Sequence, residues 1–173
     1  ETNRGCPYTC AFCYWGKKAR NKVYLYDLKR VFEEVDWLSR NNIEFVFCCD
    51  ANFGLFKRDI DIVKKIAENK TKQGFPIFFS VQNTKNSSER IFVLQKILND
   101  AGLQKGVNLA LQSLNEDTLK SIRRSNIPIS LYKDLQKMFA QEMIPTFSDM
   151  IIGLPNESYS TFTDGVSCVI EEG

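Results

Sequence analysis

Two spacings of apolar residues alternate along this chain. Across residues 27–40, Leu28, Val31, Phe32, Val35 and Leu38 recur every three or four positions, which predicts an amphipathic helix with Asp27 at its N-cap. Residues 43–49 form a short, almost wholly apolar run, the pattern of a parallel strand covered on both faces. Asp59 then precedes Ile60, Val63, Ile66 and Ala67 at helical spacing, and Gly74 with Pro76 ends that helix before a strand at 77–82. Ser88 is placed to cap a helix carrying Ile91, Val93, Leu94, Ile97 and Leu98, which closes near Gly102.

The alternation continues with a strand at 107–112 and a short helix over Leu119 and Ile122, opened by Asn115 with Asp117 and Thr118. Pro128 and Ser130 punctuate the chain before a longer helix at 131–143, and 146–152 reads as the last strand. Strand-then-helix units repeated in this way imply parallel strands joined by right-handed crossovers. The expected class is α/β, as an open or closed barrel.

Composition narrows the picture without naming a function. The 173 residues are about the length of one domain. Twenty-three basic and 21 acidic residues are scattered along the sequence for a net charge of +2, which argues against a nucleic-acid footprint or a polybasic membrane patch. No apolar run approaches the length of about 20 residues that a bilayer requires, and no signal segment opens the chain. The expectation is a soluble, cytoplasmic chain that binds neither nucleic acid nor membrane. Because Glu1 runs almost directly into the first cysteine and the chain stops at Gly173 beside a helix-like stretch, residues 1–173 are expected to be the excised core domain of a longer protein.

The chemistry lies in the cysteines. Of six, three stand at Cys6, Cys10 and Cys13, separated by three and then two residues, and the chain contains no His. Three thiolates in one tight loop can wrap a small iron-sulfur cluster, and because such clusters normally take four cysteines, one iron is left open for chemistry. A structural zinc site would need Cys48 or Cys49 as a fourth thiolate. A ferredoxin-like electron carrier would carry its fourth cysteine in the same short run. Cys48, Cys49 and Cys168 otherwise read as buried thiols in apolar surroundings.

The segment Gly5-Cys6-Pro7-Tyr8-Thr9-Cys10-Ala11-Phe12-Cys13 resembles the signature of radical S-adenosylmethionine (SAM) enzymes. In that family the cosubstrate's amine and carboxylate chelate the open iron, and the aromatic residue before the third cysteine, here Phe12, lies against the adenine. The string from Glu1 to Tyr8, with Tyr14-Trp15-Gly16, is most similar to the cobalamin-binding branch. The resemblance recurs at the strand ends. Asp50-Ala51-Asn52-Phe53-Gly54 falls where the family meets the methionyl amine, which implies Asp50 and Asn52 as contacts, a carboxylate being apt for an ammonium. Lys85 and Asn86 look like a polar pair at the next strand end and are given no role. Leu111-Gln112-Ser113-Leu114-Asn115 with Arg124 and Asn126 is similar to the motif whose polar groups reach the ribose and whose Arg reaches the carboxylate, implying Gln112, Ser113 and Arg124. Met150-Ile151-Ile152-Gly153-Leu154-Pro155-Asn156-Glu157-Ser158 resembles the fifth-strand motif, with Ile152 beside the adenine. Asn156 stands where family members often have Gly, and Asn also tolerates left-handed backbone angles.

The resemblance implies a partial (β/α)6 barrel, of which this chain holds about the first five units. It also implies a 4Fe-4S cluster, SAM as cosubstrate, an external electron donor of flavodoxin or ferredoxin type, and a small-molecule or peptide substrate. Within the family the favoured reading is a cobalamin-dependent methyltransferase, with its corrinoid domain upstream of Glu1 and Tyr14-Trp15-Gly16 as part of the surface facing the corrinoid. The alternatives are another radical reaction, such as cyclisation or rearrangement, and a non-enzymatic zinc or redox module.

Overall fold

The computed structural model describes residues 1–16, 22–85, 88–104 and 106–172. Strand β1 (Asn3–Arg4) pairs antiparallel with β2 (Tyr24–Leu25), while β3 (Phe45–Phe53) runs parallel to β4 (Phe78–Asn83) and β5 (Val107–Asn108) parallel to β6 (Thr146–Phe147). The helices α1 (Leu28–Arg40), α2 (Asp59–Gln73), α3 (Ser88–Asp100), α4 (Glu116–Ser121), α5 (Ile129–Gln141) and α6 (Tyr159–Glu172) alternate with them. Local chemistry places most boundaries where the periodicity predicts. The Asp27 carboxylate accepts from the Lys29 and Arg30 amides at 2.9 and 3.2 Å, and Asn115 accepts from the Thr118 amide at 2.9 Å. Gly74 ends α2 at φ 83°, a left-handed angle that costs glycine no Cβ clash. Helix α5 begins two residues before expectation, directly after Pro128, whose fixed φ of −55° suits the N-cap. The Ser88 side chain, expected as a cap, lies outside the described residues, as does Asn86.

The helices pack in sequence order, α1 on α2, α2 on α3 and α3 on α5, and cover one face of the strands. One core joins Val31, Ile62, Ile66 and Leu94 to Cys48 and Phe79; a second joins Tyr132, Leu135 and Phe139 to Val107 and Leu109. The opposite face of β3 is open, with Phe45 59% and Phe47 45% exposed and Cys49 exposed beside them. The expectation of a strand covered on both faces is therefore corrected. Period-2 alternation sends Val46 and Cys48 towards the helices and Phe45, Phe47 and Cys49 away from them. Cys48 is buried as expected, Cys168 is half-buried, and Cys49 is not buried.

The ladders break where the chain must turn side chains towards a site. Between the pairs Cys48↔Val81 and Phe53↔Asn83 the register shifts, so that β3 places Cys49 to Asn52 where β4 has only Gln82; such a bulge re-aims side chains. The strands expected at 107–112 and 146–152 are reduced to two-residue ladders followed by a single bridge, Gln112↔Met150. The physical reason is Gln112 at φ 70°. The Leu109 amide bonds to the Phe147 carbonyl and the Gln112 amide to the Asp149 carbonyl, both at 2.8 Å, so one segment bulges against the other.

Candidate functional site

The cysteine loop starts from a constrained backbone. Gly5 has φ 116°, and a Cβ there would lie 2.0 Å from the Lys22 carbonyl oxygen, so no other residue fits without moving backbone. Beyond it, Cys6 and Cys10 are buried and Cys13 half-buried, all three as free thiols. The Cys13 amide bonds to the Cys10 carbonyl at 3.2 Å, and the Ala11 amide reaches the Ile122 carbonyl at 2.8 Å, tying the loop to the end of α4. Among the described residues no three Cys, His, Asp or Glu side chains gather closely enough to hold a single metal ion. The three thiols instead share a cavity of about 150 Å³ whose walls include Phe12, Ala51, Asn52, Lys85 and Arg124.

Donors point at the sulfurs. The Asn52 amide lies 3.0 Å from Cys6 Sγ. Lys85 Nζ lies 3.3 Å from Cys10 Sγ and 4.1 Å above the Tyr8 ring. Burial holds the Arg124 guanidinium below the ordinary range, with Cys10 foremost, then Cys13 and Tyr8, pulling the other way. Hydrogen bonds to cluster sulfurs stabilise the negatively charged assembly and orient its ligands. The donor set therefore fits an iron-sulfur cluster held by Cys6, Cys10 and Cys13. It does not fit the zinc alternative, because Cys48 sits in the helix-side core, where burial, then Asp50, pushes its thiol up to about 12. Cys49 lies on the open face, and neither residue lines the cavity.

The other expected contacts separate into three groups. Phe12, Asn52 and Arg124 line the cavity with the cysteines. Gln112 lines a neighbouring cavity of about 160 Å³ that shares Asn83, Lys85, Ala110 and Arg124 with the first. Asp50, Ser113 and Ile152 line neither. Asp50 is 1% exposed, and both its oxygens are bound by Thr2 and Asn3, so the expected carboxylate facing an ammonium does not match its position. Ser113 is fully buried and donates to Glu157 at 2.6 Å. Ile152 is 73% exposed. The Arg124 guanidinium is braced by Asn126 Oδ1 at 2.8 Å and by the Ala110 carbonyl, and Asn126 donates in turn to the Ser113 carbonyl at 2.8 Å.

Sequence reasoning missed the part played by residues that hold this assembly. Lys85 carries no assignable role in the sequence, yet its Nζ lies 3.3 Å from Cys10 Sγ. Thr2, Asn3 and Arg58 carry no signal beyond their proximity to motifs. Asp59 reads as a helix-start residue, but its Oδ2 accepts from the amides of Gly54 and Phe56 at 2.8 and 3.1 Å, bracing the loop after β3. Its burial pushes the carboxyl up to about 6, the two amides and Arg58 opposing and Asp50 reinforcing the shift.

A family model for the Radical SAM superfamily matches residues 1–166. The chain is 42% identical over all its 173 residues to 2-(S-pantetheinyl)-carbapenam-3-carboxylate methyltransferase from Streptantibioticus cattleyicolor. It is 40% identical over the same length to the cobalamin-dependent radical SAM methyltransferase TokK from Streptomyces tokunonensis. It spans about a quarter of each relative, 25% of their lengths. Among solved structures, the radical SAM methyltransferase TsrM from Kitasatospora setae, with cobalamin and a [4Fe-4S] cluster bound, shares the fold with a TM-score of 0.80 at 18% identity, over 99% of this chain and 31% of that one. Coproporphyrinogen III oxidase from Escherichia coli shares it with a TM-score of 0.63 at 14% identity, over 84% of this chain and 34% of that one.

Proposed function

The chain belongs to the Radical SAM superfamily, and on that premise we propose that residues 1–173 form the catalytic core of a cobalamin-dependent methyltransferase, built as the first five units of a partial six-unit barrel. Cys6, Cys10 and Cys13 hold a 4Fe-4S cluster. When bound, that cluster supplies one electron from an external donor to SAM, whose carbon-sulfur bond breaks to give methionine and a 5′-deoxyadenosyl radical. The observation that carries this reading is the three free thiols around one cavity faced by Asn52, Lys85 and Arg124, in a chain matched end to end by two methyltransferases.

The chain's own residues bind and orient. Phe12 offers a partly exposed ring to the adenine at the cavity wall. Arg124 is half-buried between the two cavities and braced on two sides; its planar fork suits the methionyl carboxylate. Gln112 faces the adjoining cavity as a ribose contact, with Ser113 behind it fixing the turn through Glu157. Ile152 supplies an apolar surface to the adenine edge. The substrate is a small molecule whose methylated centre a simple nucleophilic attack cannot alkylate.

The test uses the full-length enzyme, reconstituted anaerobically. Stoichiometric iron and sulfide, bound cobalamin, and methyl transfer that needs both cofactors support the reading. Zinc in place of iron would overturn it, and full turnover without corrinoid would move the assignment to another radical reaction.

A further inference from the structure

Asp50 receives four hydrogen bonds on its two carboxyl oxygens, all from Thr2 and Asn3. Its Oδ1 accepts from the Thr2 and Asn3 amides at 2.7 and 3.2 Å, and its Oδ2 accepts from Asn3 Nδ2 at 2.7 Å and from the Thr2 hydroxyl. Four donors fill the acceptor capacity of a carboxylate, about four lone-pair sites. The group is 1% exposed and does not line the cavity that the cysteines share. Its partners lie on the segment that delivers Cys6, since Asn3 is followed by Arg4, by the sterically fixed Gly5, and then by the cysteine.

Besides that carboxylate, the segment is held by the Tyr26 amide, which donates to the Thr2 carbonyl at 3.1 Å, and by pairing with β2. The β1–β2 ladder is only two residues long. Arg58 adds bonds to the carbonyls of Thr2 at 2.9 Å and Tyr26 at 2.6 Å, so the end of β3 and the start of α2 grip both strands. Two residues beyond Asp50, Asn52 holds the Cys6 sulfur directly at 3.0 Å. The register break in β3 brings both side chains to bear, one on the approach to Cys6 and one on its sulfur.

We propose that Asp50 is a positioning residue for the cluster, clamping Thr2 and Asn3 so that Cys6 enters its site at a fixed place and angle. This rests on the reading that Cys6, Cys10 and Cys13 hold a cluster, and it removes Asp50 from the contacts to SAM. Partners that orient metal ligands typically change metal affinity by about 10–100-fold when lost. Removing an acceptor from four buried donors leaves them unsatisfied.

The experiment compares full-length unmodified enzyme with Asp50→Ala and with the milder Thr2→Val, each reconstituted anaerobically. Iron and sulfide in the unmodified enzyme test the cluster reading; the ratio of variant to unmodified tests the clamp. The first readout is the rate at which a chelator strips the cluster. The second is SAM affinity in the cluster-loaded fraction, and the third is the urea midpoint of the cluster-free protein. The clamp predicts cluster loss about tenfold faster or more in both variants, with SAM affinity within about twofold in the loaded fraction. A purely structural Asp50 would lower the urea midpoint and leave the stripping rate of folded protein unchanged, which overturns the proposal. An unchanged stripping rate with SAM affinity weakened about tenfold or more would return Asp50 to the cosubstrate's ammonium and overturn it equally. If Asp50→Ala does not fold, Thr2→Val decides alone.

Discussion

The end of β3 and the ends of β5 and β6 both carry residues expected at the site, yet they are built differently. At the β3 end, Asp50 is filled by Thr2 and Asn3, Asn52 is on Cys6, and Asp59 braces Gly54 and Phe56. At the β5 and β6 ends the ladder is two residues long, Gln112 takes a left-handed turn beside a cavity, and Ile152 stands 73% exposed. The first end is closed on protein and the second keeps a cavity and an exposed apolar side chain. On the proposed function the difference has a reason: metal-ligating sulfurs would need fixed positions, whereas a cosubstrate's body would need accessible surface and room.

The sharpest way to break this comparison is at the cysteines. Ser at Cys6, Cys10 or Cys13 is expected to reduce iron and sulfide in the full-length enzyme to near zero, whereas Ser at Cys48, Cys49 or Cys168 leaves them unchanged. Cluster retained in any of the first three would show that the closed end does not depend on that thiol.

Next in size is Gly5→Ala, which places a Cβ against the Lys22 carbonyl at a φ of 116°. Backbone strain of this kind costs about 1–3 kcal/mol, and the steric overlap adds to it. Urea unfolding should show a loss at least that large, together with poorer cluster retention. A midpoint equal to that of the unmodified protein would show that β1 shifts freely, contrary to a closed end.

Asp59 tests the same end through pH. Its folded pKa of about 6 lies above the ordinary 3.8, so between those values the folded protein binds more protons than the unfolded one. Stability contributed by this group is therefore present at low pH and declines as pH rises from about 4 to about 6, by up to about 3 kcal/mol. Asp59→Asn keeps an oxygen for the Gly54 and Phe56 amides and should flatten that decline in denaturant titrations across the window. A slope unchanged by the substitution would assign it to other groups.

The smallest expected effect is at the open end. Ile152→Ala removes a side chain that is mostly exposed, so stability should change by no more than about 0.5 kcal/mol. SAM affinity should nevertheless weaken severalfold, measured on cluster-loaded enzyme. A stability loss comparable to that of Gly5→Ala would mean that this end too is closed on protein.

What could be read along the chain was local. Helices α1 to α3, the capping by Asp27 and Asn115, and the order of strand-then-helix units follow from periodicity and from hydrogen bonds between near neighbours, which leave a pattern within a dozen residues. The cysteine loop was legible for the same reason, since its three cysteines lie within eight positions of one another. Tertiary structure alone decided the rest. Asp50 meets Thr2 and Asn3 across 48 and 47 residues, and Lys85 meets Cys10 across 75; contacts at such distances impose no spacing on the sequence. The same holds for Phe45 and Phe47, whose apolar run looks alike whether one face or both are covered. It holds as well for Gln112, whose left-handed turn shortens two strands that their composition would have carried further. A residue's type sets which bonds it can make, and only the folded chain determines which partner is there to make them.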